Sequence, residues 1–78
     1  MIAELDCVAL TQDLPEHGLV AGDVGAVVHV FKGGGQFMVE FTTFNGDTVA
    51  VAKVLAGQIR PLAQNEIHHT RTLEPAAR

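Results

Sequence analysis

The 78-residue chain lacks several features that mark particular functional classes. It has a single cysteine, Cys7, so it cannot form the internal disulfide on which small secreted domains usually depend. It has no tryptophan and no tyrosine. Because these residues line the grooves of domains that bind proline-rich peptides, their absence disfavours that function. No apolar run approaches the ~20 residues of a membrane span, and no positively charged region opens the chain as in a signal peptide. We therefore expect a soluble, cytoplasmic protein that does not contact the membrane.

Basic residues are also scarce in the part of the chain that we expect to fold. The formal net charge is −4, and residues 1–62 contain seven acidic residues but only three basic ones, Lys32, Lys53 and Arg60. Nucleic-acid affinity comes mainly from Lys and Arg side chains that neutralise phosphates. We therefore do not expect nucleic acid to be the partner.

Apolar residues recur in short stretches that predict five β-strands. The predicted strands cover residues 5–10, 24–31, 36–43, 48–54 and 59–62. The alternation is clearest in the third, where Phe37, Val39 and Phe41 share one face and are predicted to be core residues. A 3₁₀ turn over residues 55–58 would precede the last strand. This order predicts an all-β domain over residues 1–62, a small five-stranded SH3-like barrel.

Glycine and turn-forming residues predict how the strands are connected. Gly25 lies one residue into a strand pattern, which indicates a bulge, a sharp bend or a close approach of another backbone. Asp23 is interpreted as a turn residue that binds nearby backbone amides. The three glycines at 33–35 predict a flexible hairpin turn, and Asn45-Gly46 predicts a type I′ turn with positive φ at both residues.

A long loop and a tail complete the predicted organisation. In the loop at residues 11–22, Leu14 and Leu19 are predicted to fold back onto the barrel, while Glu16 and His17 face water. Residues 63–78 show no consistent apolar period, which favours a disordered, flexible tail that contributes little to the fold. A short helix over residues 65–73 is the alternative.

Two resemblances rest on particular stretches of the chain. Glu4-Leu5-Asp6, the loop from Asp13 to Leu19, and Gly22-Asp23-Val24-Gly25-Ala26-Val27-Val28 together resemble a family of small bacterial proteins catalogued as a domain of unknown function. The resemblance covers about residues 1–62. It implies an SH3-like barrel in a bacterial cytoplasm and supplies no catalytic residues. Gly22 to Val28 is also similar to the start of the KOW modules of ribosome- and transcription-associated proteins. A turn followed by a bent strand would produce this similarity in any such barrel.

The four histidines and Cys7 are the candidate metal ligands and nucleophile. His17, His29, His68 and His69 lack the spacing of a structural zinc site, which needs four well-placed ligands. A Cys7 nucleophile would need a base held beside it in a pocket, and so small a barrel has little room for one. We therefore expect no metal, no cofactor and no enzymatic activity, and Cys7 is interpreted as a small apolar residue of the first strand.

These exclusions favour a non-enzymatic module that binds another protein, one version being an antitoxin-like or immunity-like protein with a basic toxin as partner. The predicted docking face is the loop at residues 13–19 with the nearby Phe44 turn, where Glu16, His17 and Phe44 can reach a partner. Phe44 is either an exposed contact residue or packed against the end of the barrel. A KOW-like nucleic-acid-binding or ribosome-associated module is the alternative. The chain itself is expected to be a monomer or a weak homodimer.

Overall fold

Five strands and two 3₁₀ turns make up the regular structure of residues 2–73, the part of the chain that the computed structural model describes. The strands are β1 (Cys7–Leu10), β2 (Val24–Val30), β3 (Gln36–Thr42), β4 (Thr48–Leu55) and β5 (Ile59–Pro61). One 3₁₀ turn, Pro15–His17, lies in the loop after β1, and the other, Ala56–Gln58, joins β4 to β5. The predicted all-β class and the five strands are confirmed. No helix in the described residues is long and apolar enough to cross a membrane.

The strands form a single antiparallel sheet in the order β4-β3-β2-β1-β5. The predicted closing strand, β5, pairs with β1, so that the two ends of the chain's regular structure lie side by side. Within residues 2–73, no ladder of hydrogen bonds joins the two edge strands, β4 and β5. The sheet is therefore open at that side, and closure into a barrel stays a prediction.

The core contains apolar residues from all five strands and from the loop after β1. Its members are Val8, Leu10, Leu14, Leu19, Val27, Phe37, Val39, Phe41, Ala52, Val54 and Ile59. The three residues predicted from the alternation of β3, Phe37, Val39 and Phe41, are 4%, 0% and 3% exposed. The predicted folding back of Leu14 and Leu19 is also confirmed, since both are buried and their backbones form a bridge.

Gly25 marks the close approach that its place in the sequence predicts. A Cβ built on Gly25 would lie 2.7 Å from Val39 Cγ1 and 2.8 Å from the carbonyl oxygen of Glu40. Real side chains do not approach this closely, so β2 and β3 can pack here only because Gly25 has no side chain. The irregularity of β2 lies further along, where the register with β3 shifts between Val27 and His29.

The β3–β4 hairpin does not have the predicted type I′ turn. Gly46 has a φ of 96°, but Asn45 does not have positive φ, which a type I′ turn requires. The backbone oxygen of Thr43 accepts a hydrogen bond from Gly46 N (2.9 Å), and Thr43 N donates to the oxygen of Asp47 (2.8 Å). The Thr43 hydroxyl also accepts from Asp47 N at 3.1 Å. This side chain thus stabilises a wider loop whose tip carries Phe44.

The segment after β5 has no helix or strand in residues 62–73. The alternative of a short helix over residues 65–73 is therefore wrong. A helix this short needs an apolar face to pack, and Ile67, which would have supplied it, is 92% exposed. Residues 74–78 of the predicted tail lie outside the described residues. The domain boundary at residue 62 and the flexibility of the tail stay predictions.

Candidate functional site

The loop after β1 is held in one conformation by its own acidic side chains. Asp13 Oδ1 accepts a hydrogen bond from Ala21 N, and Asp23 Oδ2 accepts one from Val20 N, both at 2.9 Å. The predicted turn role of Asp23 is therefore confirmed. Gly18, with a φ of 70°, ends the 3₁₀ turn. Because Leu14 and Leu19, on either side of this turn, are both buried, the turn presents its surface in a fixed orientation.

Glu16 and His17, two of the three predicted docking residues, lie in the 3₁₀ turn at the tip of this loop. Glu16 is exposed, and His17 is half-buried. Neither side chain forms a hydrogen bond or ion pair with another described residue. Both remain accessible to a partner, His17 less so than Glu16.

Phe44, the third predicted docking residue, is fully exposed at the tip of the β3–β4 hairpin. Of the two alternatives left open by the sequence, packing against the end of the sheet is wrong. The physical reason is the wider loop described above, which carries the ring past the end of β3. A whole phenyl ring in water is available as a contact residue.

A groove with a volume of about 670 Å³ lies between the hairpin and the base of the loop. Phe41, Phe44 and Val49 line one side, Leu19 and Asp23 lie at the loop side, and residues 68–71 with Leu73 border it as well. Glu16 and His17 do not line it. The structure therefore joins Phe44 to the base of the loop and leaves the loop tip outside the groove.

Arg71 is a functional candidate that the sequence reasoning missed. Its Nε donates to Asp23 Oδ1 at 2.9 Å and its Nη2 donates to Asp23 Oδ2 at 2.7 Å, while Nη2 also reaches the Gly18 carbonyl at 3.3 Å. The Asp23 side chain is only 17% exposed. The guanidinium holds the pKa of Asp23 below its ordinary value; burial opposes this effect, and the hydrogen bond from Val20 N adds to it. The segment after β5 is thereby attached to the loop after β1.

A second ion pair fixes the start of the segment after β5. Arg60 donates to Glu66 through Nη1 (2.8 Å) and Nη2 (2.9 Å), and Ala63 N donates to the same carboxylate at 2.7 Å. The hydrogen bonds from Arg60 and, to a smaller extent, from Ala63 N lower the pKa of Glu66 to about 2. One of the three basic residues of the predicted fold is thus neutralised within the chain.

Comparison with known protein families identifies the folded part of the chain. A family model described as "Domain of unknown function (DUF4926)" matches residues 4–61. The chain belongs to the DUF4926 family. The resemblance to a domain-of-unknown-function family is therefore confirmed. No curated protein and no solved structure gives a match.

The DUF4926 match spans all five strands and ends at Pro61, the last residue of β5. It includes the loop after β1, Asp23 and the Phe44 hairpin, whereas Glu66 and Arg71 lie beyond it. A surface that belongs to the DUF4926 domain is therefore completed by residues outside that domain. The only signal for this in the sequence is charge, because residues 1–31 contain five acidic residues and no Lys or Arg.

The remaining candidates occupy separate parts of the DUF4926 domain. Cys7 is exposed, since it faces away from the core at the start of β1. His29 Nδ1 lies 3.9 Å from Glu4 Oε2, and the rings of His29 and Phe31 form a T-shaped pair with the centroids 4.6 Å apart. In residues 2–73, no three His, Cys, Asp or Glu side chains are grouped as metal ligands would be. The expectations of no metal and no catalysis stay predictions.

Proposed function

We propose that this member of the DUF4926 family is a non-enzymatic interaction module that binds another protein. Its docking face is the loop at residues 13–19 together with the Phe44 hairpin and the groove between them. The observation that carries the proposal is the fully exposed ring of Phe44 at the rim of that groove. Glu16 and His17 extend the face at the loop tip.

The exposed apolar surface around the groove supports this proposal. Val24 and Leu73 are also among the exposed large apolar residues, and both line the same groove as Phe44. Single exposed apolar residues are common on proteins, but adjoining ones beside a concave surface favour an interaction site. An aromatic residue buried by a partner is the kind of side chain that contributes most to binding.

The charge of the face supports a protein with a basic surface as the partner. Glu16 is exposed on the loop tip, and residues 1–31 provide no Lys or Arg to offset the five acidic residues there. An antitoxin-like or immunity-like role would use this charge against a basic toxin. Nucleic acid is disfavoured by the same charge, and Arg60 is already paired with Glu66.

A tagged full chain used as bait in extracts of the native host tests the proposal. We expect a captured protein whose recovery falls for Phe44→Ala and for the double variant Glu16→Ala, His17→Ala. Both variants should keep the fold, because these side chains are not part of the core. In calorimetry with the captured protein, the double variant should lose roughly 1 to 3 kcal/mol of binding free energy.

Val51→Ala is the matched control for this experiment. Val51 is also an exposed apolar residue, but it lies on β4 and does not line the groove. Its removal should leave capture unchanged. Equal affinity of the parent, Phe44→Ala and the double variant, all folded, would refute the proposed docking face.

A further inference from the structure

The site that holds Arg71 is built entirely from the loop after β1. The carboxylate of Asp23 and the carbonyl of Gly18 supply all three acceptors. Asp23 is oriented by the N–H of Val20, and the loop is held by the bond between Asp13 and Ala21 N. None of these supporting contacts involves the segment after β5, so none of them is lost when Arg71 leaves.

The geometry of this site selects an arginine side chain. Two nearly parallel N–H···O bonds join one edge of the guanidinium to both oxygens of Asp23, and Nη2 is shared with the carbonyl of Gly18. A planar guanidinium offers donors in this fixed arrangement, whereas a lysine ammonium is a single point of charge. A lysine could satisfy one carboxylate oxygen well but would not reproduce the paired bonds.

The segment that supplies Arg71 is attached mainly by charge. Residues 62–73 form no strand or helix, Ile67 is 92% exposed and Leu73 is 38% exposed. In its two ion pairs the arginines, Arg60 and Arg71, are 48% and 38% exposed, and pairs with such exposed members are weakened by solvent and salt. A competing arginine therefore has little apolar packing to displace.

We propose that Asp23 and Gly18 form a recognition site for an arginine side chain of the partner protein, which Arg71 occupies in cis until the partner displaces it. This inference rests on the proposed function, that the chain binds another protein. Leu73, two residues after Arg71, borders the groove shared with Phe44. The partner segment that fits therefore carries an arginine followed two positions later by an apolar residue, which enters the groove beside Phe44.

The test uses the full chain with Arg71→Ala, which leaves the site free. The probe is a synthetic peptide with the sequence of residues 64–73, and binding is followed through the NMR signals of the Gly18, Val20 and Asp23 amides. We expect the peptide to bind Arg71→Ala at least about threefold more tightly than the parent chain, because Arg71 in cis competes for the same site. The same peptide with lysine in place of arginine should bind several-fold more weakly.

Two substitutions in the Arg71→Ala chain separate recognition from folding. Asp23→Asn should abolish peptide binding, although asparagine can still accept the hydrogen bond from Val20 N and keep the loop in place. Asp6→Asn removes the same charge outside the docking face and likewise keeps its acceptor for Ala3 N, so peptide binding should persist. Peptide binding that survives Asp23→Asn, or that is equal in the parent and Arg71→Ala chains, would overturn the proposal.

The source of the arginine is decided by two further measurements. The parent chain and the Arg71→Ala chain are compared in sedimentation. Dimerisation of the parent but not of Arg71→Ala would show that a second copy of the chain supplies Arg71, and would overturn the assignment to a different protein. A captured partner that binds Asp23→Asn as tightly as the parent would overturn the arginine site and leave the proposed function intact. Loss of partner affinity in Asp23→Asn but not in Asp6→Asn would confirm both.

Discussion

Replacing Gly25 by alanine should destabilise the domain by about 2 kcal/mol. The added methyl would lie 2.7 Å from Val39 Cγ1, 2.8 Å from the Glu40 carbonyl oxygen and 2.9 Å from Phe41 Cδ2. Ordinary carbon contacts are about 3.5–4.0 Å, so each neighbour must move by roughly 1 Å, and the carbonyl belongs to the backbone of β3. Overpacking of this kind costs about 1–3 kcal/mol. We take the upper end of this range, about 3 kcal/mol. From it we subtract about 0.7 kcal/mol, because alanine lowers the conformational entropy of the unfolded chain relative to glycine.

Thermal unfolding measures this effect, and Gly35→Ala is its control. A loss of about 2 kcal/mol corresponds to a fall in melting temperature of roughly 8–16 °C for a domain of this size. Gly35 has no positive φ, and a Cβ there would meet nothing within 4 Å. The same chemical change should therefore be neutral or slightly stabilising at Gly35. Equal melting temperatures for Gly25→Ala and Gly35→Ala would refute the close packing of β2 on β3.

Three further predictions follow from the core, the segment after β5 and the charge. Phe41→Ala should cost about 3–5 kcal/mol of unfolding free energy; a denaturation midpoint close to that of the parent would mean that the faces of β3 are reversed. Truncation after Ala63 should lower the melting temperature by less than about 4 °C, since mainly exposed contacts are lost; a larger fall would show that this segment contributes to the core. Gel-shift titration with DNA or RNA should show no appreciable binding at physiological salt; micromolar affinity that weakens steeply with salt would favour the KOW-like alternative.

The strands and core could be predicted because their signals are local in the sequence. Phe37, Val39 and Phe41 alternate with polar residues, and only a strand places such residues on one face. Gly25 could be identified for a similar reason, since a glycine inside a β-branched run usually serves a backbone contact. Both features depend on neighbours within a few residues.

The hairpin turn and the exposure of Phe44 were beyond this local reasoning. Asn45-Gly46 favours a two-residue turn, but the Thr43 hydroxyl bonds to the Asp47 amide and stabilises a wider loop. Loop width then decides whether Phe44 lies against the sheet or beyond it. This side-chain hydrogen bond accompanies the backbone bonds of the wider loop, and no periodicity in the sequence reports them.

The arginine site could not be predicted because it joins residues that are far apart in the chain. Asp23 and Arg71 are separated by 48 positions, and Gly18 contributes only its backbone carbonyl. Sequence reasoning could identify Asp23 as a turn residue, which it is, but not the second role of its carboxylate. That role depends on the path of residues 62–73, which have no regular structure to predict.

The most direct test of the docking face is amide hydrogen exchange on the complex with the captured partner. Amides buried in an interface exchange more slowly in the complex than in the free chain. The proposed function predicts added protection at residues 13–23 and 43–49, with the rest of β4, residues 50–55, exchanging as it does in the free chain. Protection confined to the open edge of β4, with the loop and the Phe44 hairpin unchanged, would contradict it.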